Sequence, residues 1–240
     1  QSSRLVSLGQ MAAGVAHELN QPLNAVSTAA EDLYLRLTEG MALSPEEMKP
    51  ILRDVLGMVD RMSGTIEHLR VFSRDKTEES GALFDVNDVV SNAFQMMGTQ
   101  LRSHGIQVDV DLGIALPGVF GHAHQMEQVV LNLLGNARDA LGEAKEKGKK
   151  ELEVRTASVE KGWVMLEVKD NGIGMGKAQQ ERIFEPFFTT KETDRGTGLG
   201  LSISYAIVKN HGGEIVCESK EGEGTLFQVR LPVGKRNIEA

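Results

Sequence analysis

Cysteine is nearly absent: the 240-residue sequence holds only Cys217. No intrachain disulfide is possible, and no cysteine-based metal site is spelled out. Cys217 lies in the alternating run E-I-V-C-E and reads as a small strand residue in a chain suited to a reducing compartment. Aromatic residues make up only 5% of the chain against ten methionines, which suits helical packing more than a large sandwich. No apolar stretch approaches the roughly 20 residues needed to span a bilayer, and no secretory leader is visible. A cytoplasmic segment is therefore expected, although a longer parent protein can still carry a membrane anchor. Basic residues are also scarce, 26 against 34 acidic ones, for a net charge of −8. Nucleic acids and anionic membranes demand clustered cations, so neither is expected as a partner. The one cluster, Lys145–Lys150, is interrupted by Glu146 and Gly148 and reads as a solvated turn. No G-K-[ST] follows a glycine loop, which excludes a Walker P-loop.

The length allows one large domain or two ordinary ones, and 40% hydrophobic residues suffice for real cores. Residues 5–37 read as one long helix, with Leu5, Leu8, Ala12, Val15 and Leu19 in alternating steps of three and four. The stripe continues less cleanly through Leu23, Val26, Ala30, Leu33 and Leu37. Pro22 removes one N–H donor and is expected to bend the helix. Glu39-Gly40 ends it, and Ser44-Pro45-Glu46-Glu47 opens the next with a capping box. Leu52, Val55, Val59, Met62, Ile66 and Leu69 give the second helix a heptad seam. Two such helices form an antiparallel hairpin with too little core to stand alone. Pairing with a second copy into a four-helix bundle buries both seams, so a homodimer is expected.

Residues 73–83 are polar and read as a linker. Beyond them, helices are predicted near Val86–Arg102, His122–Ala144 and Gly200–Asn210. Ile106, Val108, Val110 and Leu112 mark one face of a strand. Further strands fall near Glu151–Val159 and Trp163–Lys169, with a hairpin at Glu214–Ser219 and Thr225–Leu231. Without regular β-α-β alternation, the pattern indicates an α+β two-layer sandwich. The expected division is a helical hairpin over residues 1–75, a linker over 76–84 and an α+β domain over 85–234. Because the chain begins inside a helical pattern, an input module upstream of it is expected.

His17 can be placed from periodicity. At about 100° per residue, it lies about 180° from the midpoint of the core pair Val15 and Leu19, so it faces away from the bundle core. A lone histidine there is more often a surface residue. Glu18 beside it changes the balance, because a carboxylate can hold one imidazole nitrogen and leave the other nucleophilic.

The motif H-E-L-N-Q-P-L (17–23) is followed by N-L-L-G-N-A-R-D-A (132–140), D-N-G-I-G-M-G (170–176), F-E-P-F-F-T-T-K (184–191), G-T-G-L-G-L-S (196–202) and G-E-G-T (222–225). In this order they closely resemble the catalytic core of a sensor histidine kinase, over nearly the whole chain from about residue 5 to residue 232. The resemblance implies a dimerisation and histidine-phosphotransfer hairpin followed by a Bergerat-type ATP-binding fold. It implies that His17 is the phosphoacceptor, attacking the γ-phosphate of ATP while Glu18 orients the ring and takes up the proton. The phosphoryl group would then pass to an aspartate in the receiver domain of a response regulator. Asn136 would hold Mg²⁺, an ion that prefers oxygen ligands, and Asn132 lies one turn before it on the same face. Asp170 would accept from the adenine amino group, with Gly172 and Gly174 letting backbone approach the base and Thr225 as a second polar contact. Phe184–Leu199 resembles the mobile lid, packed by Phe184, Phe187 and Phe188. Gly196, Gly198, Leu199 and Gly200 would bring backbone N–H groups to phosphate at a helix start, with Lys191 and Arg195 as lid cations. Many family members carry a lysine where this chain has Asp139, after Arg138, which leaves the phosphate-contacting cation open. Gln21, one turn after His17, occupies the position that positions water for regulator dephosphorylation in relatives.

Two other readings share some of these motifs. Type II topoisomerases, mismatch-repair ATPases and a heat-shock chaperone use the same nucleotide fold, but place a glutamate base where this chain has Asn132. A degenerate, scaffold-only domain is disfavoured because His17, Asn136, Asp170 and the lid glycines are all present.

Overall fold

The computed structural model describes residues 2–41, 43–73, 81–144, 148–159, 162–191 and 198–234, with the side chains of residues 2–19, 60–61 and 63–73 outside the description. The chain divides into two compact units, a helical hairpin and an α/β sandwich.

In the hairpin, α1 (Ser2–Thr38) runs through Pro22 as one element, and α2 (Pro45–Ser73) follows a short loop. Gly40 stops α1 at φ +72°, a conformation that costs glycine little. The Met41 N–H then donates to the Arg36 carbonyl at 2.9 Å, closing a left-handed glycine cap. The predicted capping box opens α2. The Ser44 N–H and hydroxyl both donate to the Glu47 carboxylate, at 2.9 and 2.8 Å, and the Glu47 N–H donates back to the Ser44 hydroxyl at 3.4 Å. These donors hold the exposed Glu47 carboxyl below its ordinary pKa.

Half-buried positions on α1 are Pro22, Val26, Ala29 and Leu33; on α2 they are Met48, Ile51, Val55, Met58 and Met62. The spacing is the predicted heptad, and Val55 and Met62 lie on the half-buried side as expected, but the other described seam positions on α2 do not. Leu52 and Val59, expected at the seam, are 45% and 41% exposed, and Leu56 is 64% exposed. They sit one residue on from the half-buried set, about 100° around the helix. Thus α2 carries two adjacent apolar seams, and a single hairpin covers only one. Leu23 and Leu37 on the expected α1 stripe are exposed as well.

The second unit is a two-layer α+β sandwich. Its strands are β1 (Ala82–Phe84), β2 (Ile106–Leu112), β3 (Val119–Gly121), β4 (Lys150–Val159), β5 (Trp163–Asp170), β6 (Glu214–Lys220) and β7 (Gly224–Pro232). Its helices are α3 (Val86–Ser103), α4 (Ala123–Glu143), the short α5 (Lys177–Gln180) and α6 (Gly200–Asn210). Five strands form a mixed sheet in the order β2-β4-β5-β7-β6, parallel only between β2 and β4. Period-two alternation turns Leu152, Val154, Val164, Leu166, Val168, Phe227, Val229 and Leu231 inward. Against them pack Val86, Val89, Val90, Met97 and Leu101 of α3, Met126, Val130, Leu133, Leu134 and Leu141 of α4, and Ile203 and Ile207 of α6. The other sheet face is polar: Glu153 pairs with Arg155 and, at 4.0 Å, with Lys169, while Glu167 accepts from the Gln228 amide at 2.6 Å.

Two expectations shift. Ala82–Phe84, read as linker, pairs as β1 with β3 in a separate two-stranded sheet. On β2 the expected apolar face is only partly covered: Ile106 is buried, while Val110 is 42% exposed. β2 is one of the two edge strands of the sheet. His211, which stands outside every sequence motif, is buried. Its Nδ1–H donates to the Ile207 carbonyl at 2.8 Å, and its Nε2 accepts from the His122 N–H at 3.0 Å. Both nitrogens are engaged as a neutral ring requires, and burial holds its pKa below the ordinary value.

Candidate functional site

The nucleotide-type boxes converge at one end of the sheet. Asp170 closes β5 and stands directly opposite Thr225 in the β5–β7 ladder. Both side chains lie on the buried face, 5% and 6% exposed. Burial pushes the Asp170 carboxyl up to about 6, against the opposing pull of N–H donors from Gly172 and Thr225. The Gly172 N–H donates to Asp170 Oδ1 at 2.8 Å. A carboxylate buried with donors on two sides, yet still held out of water, is an acceptor set for a hydrogen-bond donor from outside the protein.

The glycine loop after Asp170 is tight for a backbone reason. A Cβ on Gly172 would lie 2.7 Å from the Ala140 carbonyl carbon of α4. A Cβ on Gly174, at φ +62°, would lie 2.0 Å from the Lys220 carbonyl oxygen. The loop is thus pressed between α4 and the β6–β7 turn. The Ile173 N–H donates to the Ala140 carbonyl at 3.3 Å and its own carbonyl accepts from the Gly222 N–H at 2.7 Å.

Sequence reasoning missed two floor residues, Cys217 and Ser219. Alternation on β6 puts both on the side of buried Ile215, and extending that period across the G-E-G-T turn was the available signal. The half-buried Cys217 thiol is pushed up to about 12, first by burial and then by the charges of Asp170 and Glu218. Ser219 accepts from the Met175 N–H at 2.8 Å, donates to the Gly224 carbonyl at 2.8 Å and touches the Thr225 hydroxyl at 2.9 Å.

Asn132 and Asn136 share a face of α4, both half-buried. The Asn132 amide is committed to α6, donating to the Gly200 carbonyl at 3.1 Å and to the Ser204 hydroxyl at 3.3 Å. It therefore fixes the start of α6, where Leu199 is 3% exposed. Arg138 is held by Asp139 at 2.7 and 2.9 Å and reaches Gln100 of α3 at 3.1 Å. Its guanidinium is thereby committed to the α3 side. The lid base is partly as expected: Phe184 packs on Tyr205 of α6, ring centroids 5.3 Å apart, and Arg182 lies over the Phe188 ring at 4.4 Å. Gly198, at φ +66°, meets the Phe187 backbone so closely that a Cβ would lie 2.4 Å from its carbonyl carbon. Lys191 is half-buried, whereas Arg195 and Gly196 lie outside the described residues.

In the hairpin unit, His17 and Glu18 are helical residues of α1, with side chains outside the description. Gln21 is exposed one turn later. Among the described residues, no group of acidic, histidine or cysteine side chains is arranged to hold a metal ion by itself. Among them also, no helix is long and apolar enough to cross a membrane.

A two-layer sandwich with a buried aspartate opposite a threonine above a glycine loop defines a nucleotide-binding class of fold, and comparison with known proteins identifies it. Residues 121–235 match the family of histidine kinase-, DNA gyrase B- and HSP90-like ATPases. Residues 7–78 match the His kinase A (phospho-acceptor) domain. The two-component sensor PprA of Pseudomonas aeruginosa is 40% identical over 237 residues, covering 97% of this chain and 25% of that protein. The nucleotide-free catalytic domain of histidine kinase ThkA shares 28% identity at a TM-score of 0.56, covering 65% of this chain and 99% of that one. ThkA solved with the response regulator protein TrrA aligns at a TM-score of 0.74 and 24% identity, over 97% of this chain and 64% of that one, a likeness of fold. The chain belongs to the sensor histidine kinases, pairing their phosphoacceptor and ATPase modules, and it spans about a quarter of the length of the first relatives it matches.

Proposed function

We propose that this chain is the catalytic core of a two-component sensor histidine kinase, which phosphorylates itself on His17 from ATP and passes the phosphoryl group to an aspartate of a response regulator. The observation that carries this reading is the joint presence of the Asp170–Thr225 floor in an ATPase module and a helical H-E motif in a phosphoacceptor module of the same chain. The working division is a phosphoacceptor hairpin over 1–75 and a catalytic domain over 85–234, joined by residues 76–84, of which Ala82–Phe84 form β1 and belong with the catalytic domain.

Asp170 accepts from the amino group of adenine, Gly172 and Gly174 leave room for the base, and Thr225 supplies the second polar contact. The buried carboxylate, pushed up to about 6 by burial despite its two N–H donors, fits a further donor from the ligand, which supports this assignment. The Asn136 carboxamide oxygen would hold Mg²⁺ together with the nucleotide phosphates, and the ion would screen phosphate charge there. Asn132 acts indirectly, by fixing α6 so that the backbone of Gly198, Leu199 and Gly200 is presented to phosphate. Lys191 is the lid's cation, and Gly196 belongs to the same glycine box as Gly198 and Gly200. The commitment of Arg138 to Asp139 and Gln100 argues against that arginine as the phosphate contact.

In the transfer step, the unprotonated imidazole nitrogen of His17 forms the N–P bond as the γ-phosphorus to ADP oxygen bond breaks. The proton on the other ring nitrogen moves toward the Glu18 carboxylate. Gln21, exposed one turn later, positions water for the opposing activity, in which water attacks the regulator's aspartyl phosphate and releases inorganic phosphate and the free carboxylate. The uncovered apolar seam of Leu52, Leu56 and Val59 supports a homodimeric four-helix bundle. A cytoplasmic setting fits the ATP requirement. The test is incubation of the purified chain with Mg·ATP: phosphate that is acid-labile and base-stable is expected, and acid-stable phosphate or hydrolysis alone overturns the reading.

A further inference from the structure

The hydroxyl hydrogens on the nucleotide floor can be assigned by counting partners. Ser219 has one hydrogen and two oxygen lone pairs. Its oxygen accepts from the Met175 N–H at 2.8 Å, so one lone pair is used. The Gly224 carbonyl, 2.8 Å away, can only accept, so the Ser219 hydrogen goes there. The remaining contact, 2.9 Å to the Thr225 hydroxyl, therefore has Thr225 as the donor. With its hydrogen directed at Ser219, Thr225 has only lone pairs left to offer. Beside it stands the Asp170 carboxylate, which in its ionised form also only accepts.

We infer that Ser219 is a positioning residue for base selectivity. By fixing the Thr225 hydroxyl hydrogen, it leaves a floor made of acceptors alone, which favours a 6-amino purine nucleotide over a 6-oxo one. The inference rests on the reading that Asp170 and Thr225 face the base. At the 6-position itself a 6-amino group brings donors to this floor, whereas a 6-oxo group brings an acceptor against acceptors and has its donor, the N1–H, one ring atom away. Were the Ser219 oxygen absent, the Thr225 hydrogen would be free to rotate toward the base and relieve that mismatch.

The test measures the affinities of ATP and inosine triphosphate by competition against a fluorescent ATP analogue on the whole chain. Wild type should prefer ATP. Ser219→Ala should narrow the preference by about 3- to 10-fold, the worth of one hydrogen bond, and Ser219→Thr, which keeps the hydroxyl, should retain it. In a Thr225→Val background, adding Ser219→Ala should leave the ratio unchanged, because its route through the threonine hydroxyl is gone. A thermal melt accompanies each variant, and Ser219→Cys, whose thiol is a weak partner, carries the same expectation should the alanine variant not fold. Equal losses for both nucleotides in Ser219→Ala, a ratio that still shifts in the Thr225→Val background, or no wild-type preference would each overturn the inference. Asp170→Asn separates the two levels. Unchanged ATP affinity there removes the underlying reading and this inference together, whereas weakened ATP with an unaltered Ser219→Ala ratio removes this inference alone.

Discussion

Replacing Asp170 by asparagine alters charge at almost constant shape, and the surroundings of the side chain set the consequences. The carboxyl is 5% exposed and carries a pKa of about 6, raised by burial. Moving from the ordinary value of 3.8 to about 6 corresponds to about 3 kcal/mol in favour of the neutral form. An asparagine removes that cost in the nucleotide-free domain. It also places one amide oxygen and one NH₂ group where the N–H donors of Gly172 and Thr225 both seek an acceptor. Losing one acceptor there costs about 1–3 kcal/mol, so the two changes offset and the melting temperature should move by only a few degrees. Nucleotide binding should respond very differently. A charge-assisted hydrogen bond is worth about 1.5–3 kcal/mol, so ATP affinity should fall by roughly 10- to 150-fold.

The same carboxyl predicts a pH profile. Its folded pKa lies above the unfolded one, so the nucleotide-free domain gains stability as pH falls from above 6 toward 4, the folded state taking up its proton first. ATP affinity runs the other way, because protonation removes the charged acceptor. At pH 5 about one carboxyl in eleven is ionised, so binding should weaken by about tenfold relative to pH 8. Asp170→Asn should lack this component, which separates it from protonation of the nucleotide phosphates. Calorimetry across pH 5–8 on both proteins gives the numbers. Unchanged ATP affinity in the variant, or an identical pH profile in the two proteins, would refute the reasoning.

Three further expectations concern other parts of the molecule. Leu56→Glu with Val59→Glu places two carboxylates on the uncovered α2 seam, and light scattering should show monomer where wild type is dimeric, since neither side chain supports the single hairpin; a persisting dimer would place the interface elsewhere. Gly174→Ala sets a Cβ 2.0 Å from the Lys220 carbonyl oxygen at φ +62°, and should cost more than about 2 kcal/mol in urea unfolding; an unshifted midpoint would contradict the tight-loop account. Gln21→Ala should slow dephosphorylation of the cognate regulator while sparing autophosphorylation, because one extra rotor relative to shorter amides makes this a modest activity to begin with; equal rates would leave Gln21 a surface residue of α1.

The elements that sequence periodicity reveals well are the long ones. Helices α3, α4 and α6 and strands β4, β5 and β7 bury one face each, and burial is what writes a period into a sequence. Short elements carry too few residues for a period. That is why Ala82–Phe84, with three residues, passed as linker, and why β3 and the four-residue α5 left no trace. On α2 the period was right and the face only partly: Val55 and Met62 are half-buried as expected, whereas Leu52 and Val59 are exposed. Two apolar seams one residue apart obey the same heptad, so the sequence alone cannot say which meets α1. In the site, Asp170, Gly172, Gly174 and Thr225 were legible because glycine boxes bracket them, and the register joins Asp170 to Thr225. Ser219 was not, because a serine in a strand is common and its importance comes from three partners on other segments. Asn132 was legible as a position, but its bond to the Gly200 carbonyl required the packing of α4 on α6.

The central claim is that His17 receives phosphate from ATP bound over Asp170. The most direct measurement is site-resolved phosphorylation under conditions that preserve phosphohistidine, comparing wild type with His17→Gln. A single acid-labile phosphate on His17 is expected in wild type and none in His17→Gln, with ATP affinity nearly equal in the two. Incorporation at the wild-type level in His17→Gln, or phosphate mapped to another residue, would contradict it.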